Sequence, residues 1–324
     1  MADVAARAGV SGQTVSRVAN GSPHVEDRTR LRVERAMAEL GYRPHRAARA
    51  LRTGRTQTIG LVATTLATVG NSRMLQAVAD AAAARGYAVV VVTLGGAGDI
   101  AGAFERLREQ GVDGAIVLNE ATELARTVAA PDALRLVIVD SPPDARFGIV
   151  ETDHAGGARA ATRHLLGLGH ASVHHLAGPV HAFAANERER GWRAALEDAG
   201  VSAPAPLRGD WSAASGYAAG AVLAAEAAVT AVFAANDQMA LGLLRALADA
   251  GRRIPEDISV VGFDDLADAA DYRPPLTTVR QDFDALGERA VAALVAGIEE
   301  GVPRRFETLP AELIVRASTA PPAR

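Results

Sequence analysis

Three polar residues stand just beyond short apolar runs: Asp140 after Val139, Asn236 after the 229–234 run and Asp264 after the 258–262 run. In open α/β sheets, groups beyond the carboxyl ends of strands face the crevice where ligands bind. Two carboxylates and an amide meeting there suit vicinal hydroxyls, because each accepts or donates a pair of hydrogen bonds at the spacing of sugar oxygens. Trp211, in Gly209-Asp210-Trp211-Ser212, offers an apolar platform for a sugar ring. Taken one at a time, such residues are more simply read as helix caps or buried aromatics. Asp237 reads as the cap of the following helix and Trp192 as core.

A different chemistry sits near the N-terminus. Gln13, Thr14, Ser16 and Arg17 fall on one short helical stretch, and all can hydrogen-bond bases or phosphates. Asp3 is placed to cap a helix from Val4 to Ala8, Gly9 to end it, and Ser11 to cap the second helix. Ala5 and Gly9 permit the close crossing of a helix-turn-helix over Val4, Val10, Val15 and Val18. A third helix is expected from Arg28 to Leu40, with Leu31, Ala36 and Leu40 on its apolar side and Gly41 as its stop. Then comes Arg43 to Arg55, where arginine recurs at every third position. As a helix this stretch sets Arg46, Arg49 and Arg52 on one side and Ala47, Ala50 and Leu51 on the other. Pro44 and Gly54 leave it about two turns, too short to be stable alone in water. It reads as a linker or a switch.

From Thr58 the period changes. Apolar runs at 59–63, 88–92, 114–118 and 136–139 alternate with helical patterns at 72–85, 100–110 and 120–129. The alternation resumes beyond Asp153, with strands expected at 172–177, 229–234 and 258–262 and helices at 155–166, 188–199, 213–224 and 238–250. Two βαβ lobes in tandem follow. At 324 residues the chain has room for two or three domains.

The net charge of −4 hides an asymmetry. Residues 1–58 hold eleven arginines and five acids, net +6, so the remainder carries −10. A basic head on an acidic body fits a nucleic-acid-binding module fused to something else; a solvated charged face is the bland alternative. Without cysteine there are no disulfides or thiolate metal sites. No apolar run approaches membrane-spanning length and no signal peptide is visible, so no membrane partner and a cytoplasmic location are expected. His170, His174 and His175 lie close together, but neighbouring strand residues face opposite ways, which argues against a metal site. No phosphate-binding loop, nucleophile elbow or zinc-protease signature occurs, so neither an enzyme nor a cofactor is expected.

The motifs resemble the LacI/GalR family of bacterial transcriptional repressors over nearly the whole chain. The resemblance rests on Asp3-Val4-Ala5 through Val18-Ala19-Asn20, Tyr42-Arg43-Pro44 and Ala50-Leu51. In the rear half it rests on Gly209-Asp210-Trp211-Ser212, Ala235 to Gly242, Asp257 to Asp265 and Pro274 to Phe283. It implies an N-terminal all-α helix-turn-helix domain (1–44), a hinge helix and linker (45–56), and an α/β two-lobed core like that of periplasmic sugar-binding proteins (57–318). The chain would cross between the lobes near Asp153, Gln281 and Leu309. That makes one lobe of about 57–152 and 282–308 and the other of about 153–281 and 309–318, before a short tail at 319–324.

The resemblance to galactoside-responsive members carries effector contacts onto Thr64, Asp140, Arg188, Trp211, Asn236, Asp264, Gln281 and Phe283. It puts Gln13 and Arg17 in the major groove of palindromic operator DNA, with Thr14, Ser16 and Asn20 on phosphates. Leu51 becomes an apolar wedge in the minor groove, and the Arg46 and Arg49 face suits phosphates; on this reading residues 46–53 order only on the operator. The chain departs at Gly12, where those members carry a base-reading tyrosine, and at Thr68-Val69-Gly70, which replaces an apolar wall on the aglycone side. It also lacks a leucine-heptad tail, so a homodimer rather than a tetramer is expected. The expected function is a sugar-responsive repressor. A regulator of the same fold answering to another sugar or a purine, and a sugar-transport protein without DNA function, are the alternatives.

Overall fold

The computed structural model describes residues 1–19, 22–42, 54–95, 99–119, 121–128 and 134–323. Asn20 and the stretch carrying Arg46, Arg49 and Leu51 lie outside them. The chain divides into two compact units, Met1–Gln57 and Thr58–Arg324.

The first unit is three helices, α1 (Ala2–Ala8), α2 (Gly12–Ala19) and α3 (Asp27–Glu39). Gly9 ends α1 at φ 63°, a left-handed conformation that glycine adopts without a Cβ penalty. Ser11 Oγ accepts from the Thr14 amide at 3.2 Å and so caps α2. Val4, Val15, Val18, Val25, Val33 and Ala36 form the small core. Two expectations fail here. Asp3 lies inside α1 and makes no cap, since the helix already starts at Ala2. Leu31 and Leu40 are exposed, because α3 turns Val33 and Ala36 inward instead.

The second unit has two sheets. The first has the order β11-β5-β4-β3-β1-β2, from β1 (Thr58–Ala63), β2 (Ala88–Thr93), β3 (Gly114–Leu118), β4 (Arg135–Val139), β5 (Gly148–Thr152) and β11 (Phe306–Leu309), all parallel. The second has the order β12-β10-β9-β8-β6-β7, from β6 (His174–Ala177), β7 (Leu207–Arg208), β8 (Ala231–Ala234), β9 (Ser259–Asp264), β10 (Thr277–Arg280) and β12 (Glu312–Ile314). Only β12 runs antiparallel there. Helices cover both faces of each sheet, and the period of two splits the inner strands between two cores. Ile59 and Leu61 face one side with Val78 and Leu294, while Val62 faces the other with Phe104 and Leu107. In the second lobe Val232 and Val260 pack with Leu243, and Phe233 and Val261 with Trp192.

The lobe helices are α4 (Val69–Ala84), α5 (Ile100–Glu109) and α6 (Ala121–Thr127) in the first lobe, and α7 (His154–Gly167), α8 (Phe183–Asp198), α9 (Ala213–Ala225) and α10 (Asp237–Asp249) in the second. The helix α11 (Phe283–Glu299) returns to pack on the first lobe. Sequence periodicity pointed to neither α11 nor the strands β5, β7, β10, β11 and β12. Several of these carry polar residues or run only two to four residues, so their pattern is weak.

The chain passes from sheet to sheet after Thr152, after Arg280 and after Leu309. Two of these passages are tied together, since the Asp153 amide donates to Leu309 O at 2.7 Å. Asp153 then caps α7 and Asp282 caps α11.

Candidate functional site

In the first unit α2 turns Val15 and Val18 into the core, which leaves Gln13 and Arg17 exposed and Thr14 and Ser16 half-buried along its outer side. Gly12 opens the helix, and a Cβ there would meet nothing within 4 Å.

In the second unit the strand ends of both lobes face one cavity of about 50 Å3. Asp140, Arg188, Trp211, Asn236, Asp264, Gln281 and Phe283 all line it. A closed circuit of polar groups runs round it and crosses between lobes. The Thr152 amide donates to Asp140 Oδ1 at 3.1 Å, and Thr152 Oγ1 donates to Gln281 Oε1 at 3.2 Å. Gln281 Nε2 donates to Asp264 Oδ1 at 2.8 Å. That same oxygen lies 3.5 Å from Arg188 Nη2, and Arg188 Nε donates to His154 Nδ1 at 3.3 Å. The acceptor role of Nδ1 leaves the ring proton on Nε2, 3.0 Å from Asp140 Oδ1 but off the line of a full hydrogen bond. Arg188 also donates to Ala235 O, and its guanidinium stacks 3.8 Å over the Phe263 ring.

Charges this deeply buried persist only when paired. Burial pushes the Asp264 carboxyl up to about 6, against the pull of Arg188 and the Gln281 amide. Burial acts on Asp140 as well, but His154, the Thr152 amide and Arg188 outweigh it and hold that carboxyl below its ordinary range. Burial likewise lowers Arg188, opposed by Asp264 and Asp140. A carboxyl whose folded pKa exceeds its unfolded one stabilises the fold while protonated, and loses that contribution as pH rises from the unfolded value to the folded value. The Asp264 contribution is therefore complete below pH 3.8 and gone above about 6. In urea unfolding between about pH 4 and about pH 6, the Asp264→Asn protein is expected to lose less stability than the parent. Equal losses would refute this linkage.

Backbone strain gathers at the same place. Asn119, Asp140, Trp211 and Asp264 have φ of 47°, 58°, 73° and 120°. Non-glycine residues hold such values only where the surroundings over-determine them, which is common at ligand sites. Trp211 packs against Gly178, where a Cβ would come within 2.5 Å of the indole. Asn236 has two structural duties: its Oδ1 accepts from the Met239 amide at 2.9 Å to cap α10, and its Nδ2 donates to Trp211 O at 3.1 Å. Asp237, expected as that cap, is instead a buried brace that accepts from Thr278 Oγ1 at 2.6 Å and the Leu266 amide at 2.9 Å.

Thr64 is not among the lining residues; Thr68 and Gly70 stand there, with Asn119, Met74, Phe183 and Leu286. Asn119 follows β3 as Asp140 follows β4, so the strand-end rule extends to it. His154 and Thr152 carried no such signal, because their role depends on how the lobes meet. The three neighbouring histidines do not converge. His175 is buried against Phe233 and Trp192, whereas His170 bonds Thr230 and Ser259. No metal-holding group of three or more acids and histidines occurs among the described residues, nor does any helix there suit a membrane span.

A helix-turn-helix unit joined to a two-lobed α/β core with a polar cleft between its lobes defines a ligand-responsive DNA-binding regulator. Comparison with known proteins gives the family. Residues 1–45 match the model for bacterial regulatory proteins of the lacI family, and residues 162–319 that for a periplasmic binding protein-like domain. The lactose operon repressor of Escherichia coli (strain K12) is 38% identical over 99% of this chain and 90% of its own length. A crystal structure of a lac repressor dimer bound to operator and the anti-inducer ONPF superposes with a TM-score of 0.88, at 37% identity over 98% of both chains. The complex of the transcriptional regulator CelR with cellobiose gives 0.75, at 36% identity over the same shares. The chain belongs to the LacI family, and it is a DNA-binding transcriptional repressor, not an enzyme.

Proposed function

We propose that this chain works in the cytoplasm as a homodimer that releases a palindromic operator when a galactoside binds between the lobes of its core. The observation that carries this reading is the set of acceptors and donors at Asp140, Arg188, Asn236, Asp264 and Gln281 around one cleft, with Trp211 and Phe283 as apolar walls. Such a set matches a ring that is polar at its edge and apolar on its face. Thr68, rather than Thr64, supplies a hydroxyl. In the head, Gln13 and Arg17 read the major groove while Thr14, Ser16 and Asn20 hold phosphates. The Arg46 and Arg49 side contacts phosphates, and Leu51 wedges into the minor groove.

The cavity's 50 Å3 is far below the roughly 300–1,000 Å3 of small-molecule sites. A sugar therefore enters only as the lobes shift or as Arg188 and Trp211 move. Its hydroxyls then compete for Asp264, Gln281 and Arg188 in the second lobe, and so for the Gln281 that Thr152 of the first lobe holds across the junction. That competition makes sugar affinity differ between lobe arrangements, which is what a ligand needs to shift an equilibrium. Linkage requires that bound operator weaken the sugar by the same factor.

A second reading, an effector with further hydroxyls such as cellobiose, is favoured by the polar groups of Thr68 and Asn119 on either side of the small Gly70 in the lining. Selection of bound DNA from a random pool, with and without galactosides, cellobiose and purines, separates these readings. A galactoside that releases selected DNA supports the first, and release by cellobiose alone supports the second. Release by none would sink both. On the selected DNA, Arg17→Ala is expected to weaken binding about 10- to 100-fold; unchanged affinity in a fluorescence-anisotropy titration would remove Arg17 from the interface.

A further inference from the structure

A larger cavity lies in the first lobe, away from the residues of the interlobe cleft. It holds about 340 Å3 between the second half of α11 and the strands β4 and β5. Its floor is apolar, with the side chains of Val137 and Val150 turned toward α11, and α11 leaves it open because beside Arg289 and Leu294 it carries the small Ala292, Ala293, Ala296 and Gly297 there. Its border is basic, formed by Arg135 at the start of β4, Arg289 on α11, and Arg304 and Arg305 just before β11.

Those charges are out of keeping with their surroundings. Residues 59–324 hold 23 arginines against 33 acids, so repulsion among cations is easily avoided in this core. Most of its arginines do sit beside a carboxylate, as Arg85 does with Glu288 and Arg316 with Asp265. At the cavity Glu307 pairs with Arg289 at 3.3 Å. Arg135, Arg304 and Arg305 have no carboxylate within 4 Å among the described residues. Guanidinium groups on several sides of an apolar-floored cavity fit an anion that has many acceptor oxygens and an apolar body. The volume lies within the range of small-molecule sites, about 300–1,000 Å3.

We propose that this cavity is a second ligand site, specific for a small organic phosphate monoester. The phosphoryl group sits among Arg135, Arg304 and Arg305, and the apolar body lies on Val137 and Val150 against the alanine side of α11.

The test uses full-length protein without DNA, titrated calorimetrically with phenyl phosphate, inorganic phosphate and phenol. Saturable binding of phenyl phosphate is expected, with weaker binding of inorganic phosphate and none of phenol. Two variants then locate the site. Arg304→Ala with Arg305→Ala removes charge at the border. Gly297→Leu fills the cavity, since a Cβ there meets only the Arg135 Cδ atom, at 4.0 Å. Each is expected to weaken phenyl phosphate at least tenfold and to leave the unliganded melting temperature and operator affinity unchanged. Phenyl phosphate binding that survives in both variants would place the anion elsewhere, on the basic head for example, and overturn the proposal. Binding of hexaglutamate peptide but not of phenyl phosphate would overturn it in favour of an acidic protein partner.

Discussion

The Asp264→Ala protein is expected to bind its operator within about threefold of the parent while its effector affinity falls roughly 100-fold, the loss typical of a buried charged hydrogen-bonding group. Asp264 ends β9, and its Oδ1 takes both the Gln281 amide and the Arg188 guanidinium. Removing it takes away an acceptor and also unpairs a buried cation, so Arg188 loses its fixed direction. Alanine adds strain of its own at φ 120°. Asp264→Asn is therefore the sharper comparison, because it keeps the shape and the Gln281 contact while removing the charge beside Arg188. Operator binding is spared because the helix-turn-helix unit has its own core of Val4, Val15, Val18 and Val33. The readout is release of labelled operator against effector concentration. A variant released at the parent's concentration would remove Asp264 from the site.

The second large effect concerns stability. At Gly242 on α10, a Cβ would come within 1.9 Å of Ala213 O and 2.6 Å of the Tyr217 amide nitrogen on α9. Gly216 on α9 answers it, with Met239 O at 2.1 Å from its Cβ position. The two helices thus meet backbone to backbone, and no rotamer change can relieve the clash. Gly242→Val must push them apart and loosen Leu223, Leu243 and Leu247 beneath. The expected cost is about 3 kcal/mol or more, which lowers the melting temperature by roughly 10 °C. Gly167→Ala is the control. It ends α7 where a Cβ meets nothing within 4 Å, so helix propensity alone should leave it neutral or slightly more stable. If both variants melt with the parent, the close crossing is not what holds that face of the lobe.

The strands that the apolar runs announced, β1 to β4, β6, β8 and β9, occur within two residues or so of their expected bounds. Except in the edge strand β2, which stays partly exposed, continuous burial on both faces produces the signal, and it is local. The edge strands β7, β11 and β12, the inner strands β5 and β10 and the returning helix α11 were not announced. They are spread over both lobes, each of which is discontinuous in sequence, and β11 is ordered by pairing with β5 more than 150 residues earlier. The side chains of Leu31 and Leu40 show the same limit in reverse: hydrophobicity marked them for the core, but the turn of α3 left them outside.

At the site, residue type and strand-end position by themselves singled out Asp140, Asn236 and Asp264, because a parallel sheet sends the residue after each strand to one edge. What tertiary structure alone decided is how those groups are used. Asn236 is occupied with capping α10 and holding Trp211, Asp237 braces Thr278 from beneath, and His154 and Thr152 join the circuit only because the lobes meet there. The same holds for the arginine-bordered cavity, whose four cations come from β4, α11 and the approach to β11. Spacing along a chain shows which edge of a sheet a side chain can reach. Which partner its polar atoms find there depends on contacts between segments far apart in sequence, and only the folded lobes bring those together.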